Sequence, residues 1–152
     1  MEWALLPFKR FAEFTGRSRR KEYWFYVLLL IVIGLVIGVV ERALGLTGMI
    51  GPYGPLSLLF GLVTFVPSLA VGVRRLHDTN RSGWWLLIGY GPLLASLCMT
   101  YIGSLSLAMI FSLIALVGFI LLLVFMVLEG TKGPNQYGAD PKGAEAGPAG
   151  AA

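Results

Sequence analysis

The sequence predicts an all-α membrane protein: four transmembrane helices, preceded by a short N-terminal amphipathic helix lying in the headgroup plane. Three features carry that prediction. Between Tyr23 and Leu128 only six charged residues occur, at two breaks, Glu41-Arg42 and Arg74-Arg75…Asp78…Arg81. The chain of 152 residues is 57% hydrophobic and 13% charged, whereas soluble proteins carry about a quarter charged residues. A soluble domain of this size has too little interior to hide so many apolar side chains. The uncharged runs also have the right length, since roughly 17–25 apolar residues cross the hydrocarbon core as a helix.

In chain order, residues 1–22 read as a cytoplasmic amphipathic and basic segment, 23–128 as the transmembrane domain, and 129–152 as a turn-rich cytoplasmic tail. Pro7 suits the first turn of a helix. On a helical wheel Phe8, Phe11, Ala12, Phe14 and Thr15 share one arc, opposite Lys9, Arg10 and Glu13, the pattern of a helix half sunk in the interface. Gly16 breaks it, and Ser18 is a candidate cap for the next helix. Spans are expected at 23–40 and 56–73, 18 residues each. The uncharged stretch 84–128 would be about 67 Å long as one helix, twice what a bilayer needs. It divides best at Met99–Ser106, where Gly103, Ser104 and Ser106 interrupt the large aliphatics, giving spans 84–101 and 107–128. Pro92 should kink the third span, its freed carbonyl satisfied by neighbours. Three spans plus a re-entrant segment around Gly89–Pro92 is the alternative.

Orientation follows from lysine and arginine, which cytoplasmic loops retain. The N-terminal segment holds six (Lys9, Arg10, Arg17, Arg19, Arg20, Lys21), the 41–55 loop only Arg42, the 74–83 loop three and the tail Lys132 and Lys142. With four spans, eleven of the twelve fall on the cytoplasmic side. Tyr23, Trp24, Tyr26, Trp84 and Trp85 sit where an interfacial aromatic belt belongs. Gly34-Leu-Val-Ile-Gly38 places two glycines on one helix face, a spacing that serves internal packing or a homo-oligomer, or reflects only the frequency of glycine in membrane helices. The N-terminus lacks the cleavage site of a signal peptide. A net charge of +4 carried by span-flanking residues is no nucleic-acid signature. The single Cys98 excludes an intramolecular disulfide and reads as a packing residue.

Three polar segments carry the candidate chemistry. In Arg17-Ser18-Arg19-Arg20-Lys21-Glu22 clustered cations favour an anionic headgroup, or else serve as orientation determinants. The 74–85 hairpin brings Arg74, Arg75, His77, Asp78 and Arg81 together in a few residues, with Asp78 a natural partner for Arg75 or for an arginine of the 17–21 run. His77 is a candidate base or pH sensor, or simply a hydrogen-bonded structural residue. One His, one Cys and no carboxylate cluster do not make a metal site, so neither metal nor cofactor is expected. The third segment, Glu129–Pro141, is dense in Gly, Pro and Asn; it dictates successive turns and folds back on the cytoplasmic face. From about residue 142 the low-complexity sequence predicts disorder.

Together these segments resemble a bacterial family of small inner-membrane proteins, domain of unknown function 805. The resemblance rests on Phe11-Ala-Glu-Phe14-Thr-Gly16-Arg17-Ser-Arg19-Arg20-Lys-Glu22-Tyr23-Trp24, on Arg74-Arg75-Leu76-His77-Asp78 with Ser82-Gly83-Trp84-Trp85, and on Gly130…Gly133-Pro-Asn135-Gln-Tyr137-Gly138-Ala-Asp140-Pro141. It spans roughly residues 8–141. It implies a multi-pass protein of the bacterial plasma membrane and brings no activity or catalytic residue. The leading functional expectation is a non-enzymatic scaffold whose basic face, Arg17, Arg19, Arg20, Arg74, Arg75, His77, Asp78 and Arg81, binds anionic lipid or a membrane protein partner. The alternatives are a small oligomeric transporter or channel component, and an interfacial enzyme using His77 oriented by Asp78. No mid-span charge favours a transport pathway, and no Gly-x-Ser-x-Gly, His-Glu-x-x-His or phosphate-loop motif favours an enzyme.

Overall fold

The uncharged runs form helices, the longest of them two, in a computed structural model that describes residues 2–49 and 53–143. The element order is α1 (Glu2–Lys9), α2 (Arg20–Ala43), α3 (Pro55–Asp78), a 3₁₀ turn (Gly83–Leu86) leading into α4 (Leu87–Ile102), and α5 (Leu105–Val127). Four of these segments are long and apolar enough to cross a bilayer: Arg20–Ala43, Pro55–Asp78, Gly83–Ile102 and Leu105–Val127. In the apolar window of α2 only 6% of residues are buried inside the protein, so its aliphatic surface needs lipid as solvent. The disorder expected from residue 142 falls mainly on residues 144–152, outside the described residues.

The three-span alternative is corrected by the turn at Gly103. Its φ of 87° is left-handed, and the Ser104 and Gly103 amides donate to the Met99 and Thr100 carbonyls at 2.9 and 3.1 Å. That left-handed cap ends α4, and α5 begins at Leu105. The N-terminal helix is also displaced from its expected place. It runs Glu2–Lys9 with Pro7 inside it, and Phe11 and Phe14 follow it as exposed residues. The chain leaves the helix at Arg10, whose Nε donates to Glu13 Oε2 at 2.6 Å. Ser18 is no cap: it lies two residues before α2 and is fully buried, its hydroxyl without a hydrogen-bond partner among the described residues.

The chain divides into two compact units, Met1–Phe14 with Lys21–Val71, and Thr15–Arg20 with Gly72–Ala152. In the first, Tyr26 of α2 is buried and shares its hydroxyl with Ser68 Oγ of α3 at 3.1 Å, while Phe8 of α1 meets the Tyr26 ring edge-on at 5.4 Å. At the other end of α2, buried Glu41 accepts from the Ser57 amide at 2.8 Å and from the Ser57 hydroxyl. A carboxylate there satisfies an orphan N–H at the start of α3 and complements its dipole. A Cβ on Gly54 would overlap that carboxylate. A Cβ on Gly34 would meet Phe60 at 4.0 Å, and one on Gly38 would meet nothing within 4 Å.

In the second unit α4 packs along α5. Pro92 has no N–H, so the Ile88 carbonyl four residues earlier loses its helical donor. That oxygen faces Gly118 of α5, where a Cβ would collide with it and with the Gly89 backbone. Glycine at 118 thus lets two backbones approach, with a Cα–H beside the freed carbonyl. Further along, buried Ser96 donates to the Ala108 carbonyl at 2.9 Å and lies 2.7 Å from the Ser112 hydroxyl.

Candidate functional site: a buried arginine–carboxylate knot

The second unit gathers the three polar segments around the C-terminal end of α3. That helix ends in a Schellman motif. Asn80 takes the left-handed φ of 59°, its amide donates to the His77 carbonyl at 3.0 Å, and the Arg81 amide donates to the Leu76 carbonyl at 2.9 Å. Asn is the side chain best suited to that backbone after Gly. Two more terminal carbonyls of α3 are taken by distant segments, and that of His77 receives a second donor. The Ser18 amide donates to Arg74 O at 3.0 Å, the Thr131 amide to Asp78 O at 2.8 Å, and Asn135 Nδ2 to His77 O at 2.9 Å. The orphan carbonyls of one helix end therefore dock both the 15–20 segment and the tail.

Asp78 lies at the negative end of its own helix, an unfavourable place for a carboxylate. Two buried arginines offset this. Arg17 Nε donates to Asp78 Oδ1 at 3.0 Å, and Arg75 Nη1 donates to Asp78 Oδ2. Their side chains are 1% and 0% exposed and that of Asp78 is 6%, so neither arginine has solvent as an alternative partner. Other guanidinium donors of both go to backbone. Arg17 reaches Gly133 O at 2.6 Å and Thr131 O at 2.5 Å. Arg75 donates to Met126 O at 3.1 Å and to Leu128 O, capping the C-terminal carbonyls of α5. Arg19 donates twice to Pro141 O. A Cβ on Gly130 would overlap the Asp78 carboxylate, so the tail passes over Asp78 only as glycine.

The tail holds its own shape through Asx turns. Asn135 Oδ1 accepts from the Tyr137 amide at 2.9 Å, and Asp140 accepts from the Gly133 and Lys142 amides at 2.9 Å each. Those N–H donors hold the Asp140 carboxyl below the usual carboxylate range. This frame sets the Tyr137 ring flat on His77, with centroids 3.9 Å apart and planes at 2°. His77 Nδ1 lies 3.1 Å from Gly16 O; a carbonyl only accepts, so Nδ1 carries the proton and donates. Arg81 stands over the Phe125 ring, 4.2 Å from its centroid.

Of the residues singled out from sequence, Arg17, Arg19, Arg74, Arg75 and Asp78 are buried, His77 and Arg81 half-buried, and Arg20 exposed. Arg20 Nη2 donates to Glu129 Oε1 at 3.1 Å, which also receives Lys142 Nζ at 3.4 Å. Sequence reasoning expected the tail to fold back but placed none of Glu129, Gly130, Lys132, Asn135, Tyr137, Asp140 or Lys142 in the site. The signal was there in the spacing of Gly130, Gly133 and Gly138 with Asn135 and Asp140. Among the described residues no group of three or more His, Cys, Asp and Glu is placed to hold a metal ion.

Four apolar membrane-length helices, with a knot of buried arginines tying the tail to a helix end, define a polytopic helical integral membrane protein. The chain belongs to the family described as protein of unknown function DUF805, whose profile matches residues 11–139. It is similar to inner membrane protein YhaI of Escherichia coli strain K12, 41% identical over 142 residues that cover 93% of this chain and 97% of the relative. It is likewise similar to inner membrane protein YhaH of the same strain, 37% identical over 142 residues covering 93% and 98%. No solved structure matches.

Proposed function

We propose that the protein is a non-enzymatic scaffold of the bacterial inner membrane, both termini cytoplasmic, which presents a basic surface to anionic lipid headgroups. One observation carries this reading: beside buried Arg74 and half-buried Arg81, the other six cations of the second unit fall into two sets. Arg17, Arg19 and Arg75 are buried and hold the tail, whereas Arg20, Lys132 and Lys142 remain exposed beside it. Arg20 begins α2 and Glu129 stands two residues past the end of α5, so these cations flank apolar helices where headgroups lie. Each Lys or Arg near an anionic leaflet contributes about 1 kcal/mol. The inner-membrane placement is supported by the names of the relatives, and the orientation by the eleven cations on one side. A catalytic role is disfavoured by separate partners for the two candidate groups: His77 bonds Gly16 O and stacks on Tyr137, and Asp78 is engaged by Arg17 and Arg75.

The test is lipid retention. Protein extracted in neutral detergent from bilayers of phosphatidylglycerol and phosphatidylethanolamine should retain a lipid pool enriched in the anionic species. Combined Arg20→Gln, Lys132→Gln and Lys142→Gln should abolish the enrichment. Enrichment that persists in that variant removes the headgroup reading and leaves a protein partner as the occupant of the knot.

A further inference from the structure

We propose that the small cleft beside Glu129 receives one terminal phosphoryl group, and that the Glu129 carboxylate is an internal mimic of that ligand. The proposal rests on the anionic-surface reading above and narrows it to a phosphate monoester. Four cations line the cleft, Arg19, Arg20, Lys132 and Lys142, against two carboxylates, Asp78 and Asp140. Both carboxylates are engaged: Asp78 with Arg17 and Arg75, Asp140 with the Gly133 and Lys142 amides. The exposed cations of the lining, Arg20, Lys132 and Lys142, face one further carboxylate, Glu129.

Glu129 shows what the cations will hold. One of its oxygens, Oε1, sits between a guanidinium and an ammonium, Arg20 at 3.1 Å and Lys142 at 3.4 Å. Its side chain is 60% exposed, so the pair is screened and readily exchanged. A phosphoryl group offers three strong acceptor oxygens and nearly twice the charge of a carboxylate, and forms the stronger charge-assisted bonds. It should displace Glu129. Lys132, which has no hydrogen bond or ion pair among the described residues, lines the same cleft and supplies a third donor.

Shape selects the ester class. The cavity is about 30 Å³, room for about two water-sized atoms such as the oxygens at the end of one tetrahedral group. A ligand enters end-on, oxygens first. A phosphodiester carries carbon on two of its oxygens and meets the cleft sideways; a monoester has a bare end.

The experiment titrates full-length protein in neutral detergent with short-chain phosphatidic acid, short-chain phosphatidylglycerol and inorganic phosphate. Phosphatidic acid should bind about tenfold more tightly than phosphatidylglycerol, as expected of charge-assisted bonds to a dianion. The Arg20→Gln, Lys132→Gln, Lys142→Gln variant should lose that difference, and Glu129→Gln should raise phosphatidic acid affinity several-fold. Binding of inorganic phosphate with the same response to Glu129→Gln assigns the site to a soluble phosphate; binding of phosphatidic acid alone assigns it to a lipid. Equal affinity for the two lipids, or a Glu129→Gln variant that binds phosphatidic acid no better, overturns the phosphoryl site while leaving the basic surface standing. Loss of binding to both lipids overturns both.

Discussion

At Asp78 one carboxylate pairs with two buried arginines that have no water to turn to. Removing one partner of a buried pair leaves the other charge uncompensated, which costs roughly 3–5 kcal/mol, far more than an exposed pair is worth. Asp78→Asn should therefore lower the unfolding temperature in detergent steeply, while Arg20→Gln, exposed at the same face, should change stability by less than about 1 kcal/mol. Equal effects would mean the knot is not buried in solution. Asp140 gives the pH dependence. Its folded-state pKa is depressed by N–H donors, so the unfolded chain binds the proton more tightly than the folded one. Its contribution to tail docking is complete above the ordinary carboxylate range and is lost as pH falls through the depressed value. The Gly133 and Lys142 amide resonances should shift together below that range; a midpoint at or above it would show that Asp140 is not so held. The Asp78 pairing was half-visible in the sequence, since Asp78 was expected to meet Arg75 or an arginine of the 17–21 run, and it meets Arg75 and Arg17. What stayed hidden is that guanidinium groups bind backbone carbonyls, which no residue type announces.

Among the elements, helices two to five were legible because lipid solvation writes an unambiguous signal: long apolar runs that end at charges or at Gly103. Helix α1 was not legible in its bounds. Its apolar arc over Phe8–Thr15 suggested a helix there, but the bidentate Arg10–Glu13 pair and the left-handed Gly16 stabilise turns just where the arc continues. The α4–α5 pair shows the opposite case, in which two residues on different helices explain one another. Pro92 frees the Ile88 carbonyl, and Gly118 makes room for it. Gly118→Val should push the helices apart and destabilise the protein by about 1–3 kcal/mol, the usual cost of overpacking. Gly38→Val, where a Cβ meets nothing within 4 Å, is the matched control and should leave monomer stability unchanged. Reversible unfolding of both variants in mixed micelles distinguishes them, and equal losses would place the α4–α5 contact elsewhere.

For the whole molecule the decisive quantity is the distribution of charge across the bilayer. Four crossings would put the start of α2, the α3–α4 turn and the end of α5 on one side, and the α2–α3 and α4–α5 turns on the other. Counted with the helix ends they flank, eleven of twelve Lys and Arg residues would belong to the first side and only Arg42 to the second. Lysine and arginine in short loops set orientation, so the first side should be cytoplasmic. Burial of Arg17 and Arg75 in the knot strengthens the expectation: a tail tied to α3 by those side chains stays on the side where the arginines remain during insertion. Cys98 is the chain's one cysteine, so a Cys98→Ser background accepts single reporter cysteines. Met49→Cys and Lys132→Cys, both at exposed positions, should react oppositely with a membrane-impermeant maleimide added to intact cells. Position 49 should label at once, and position 132 only after the membrane is permeabilised. Labelling of both from outside would break the even number of crossings, and with it the shared side on which arginine knot, tail and exposed lysines can act together.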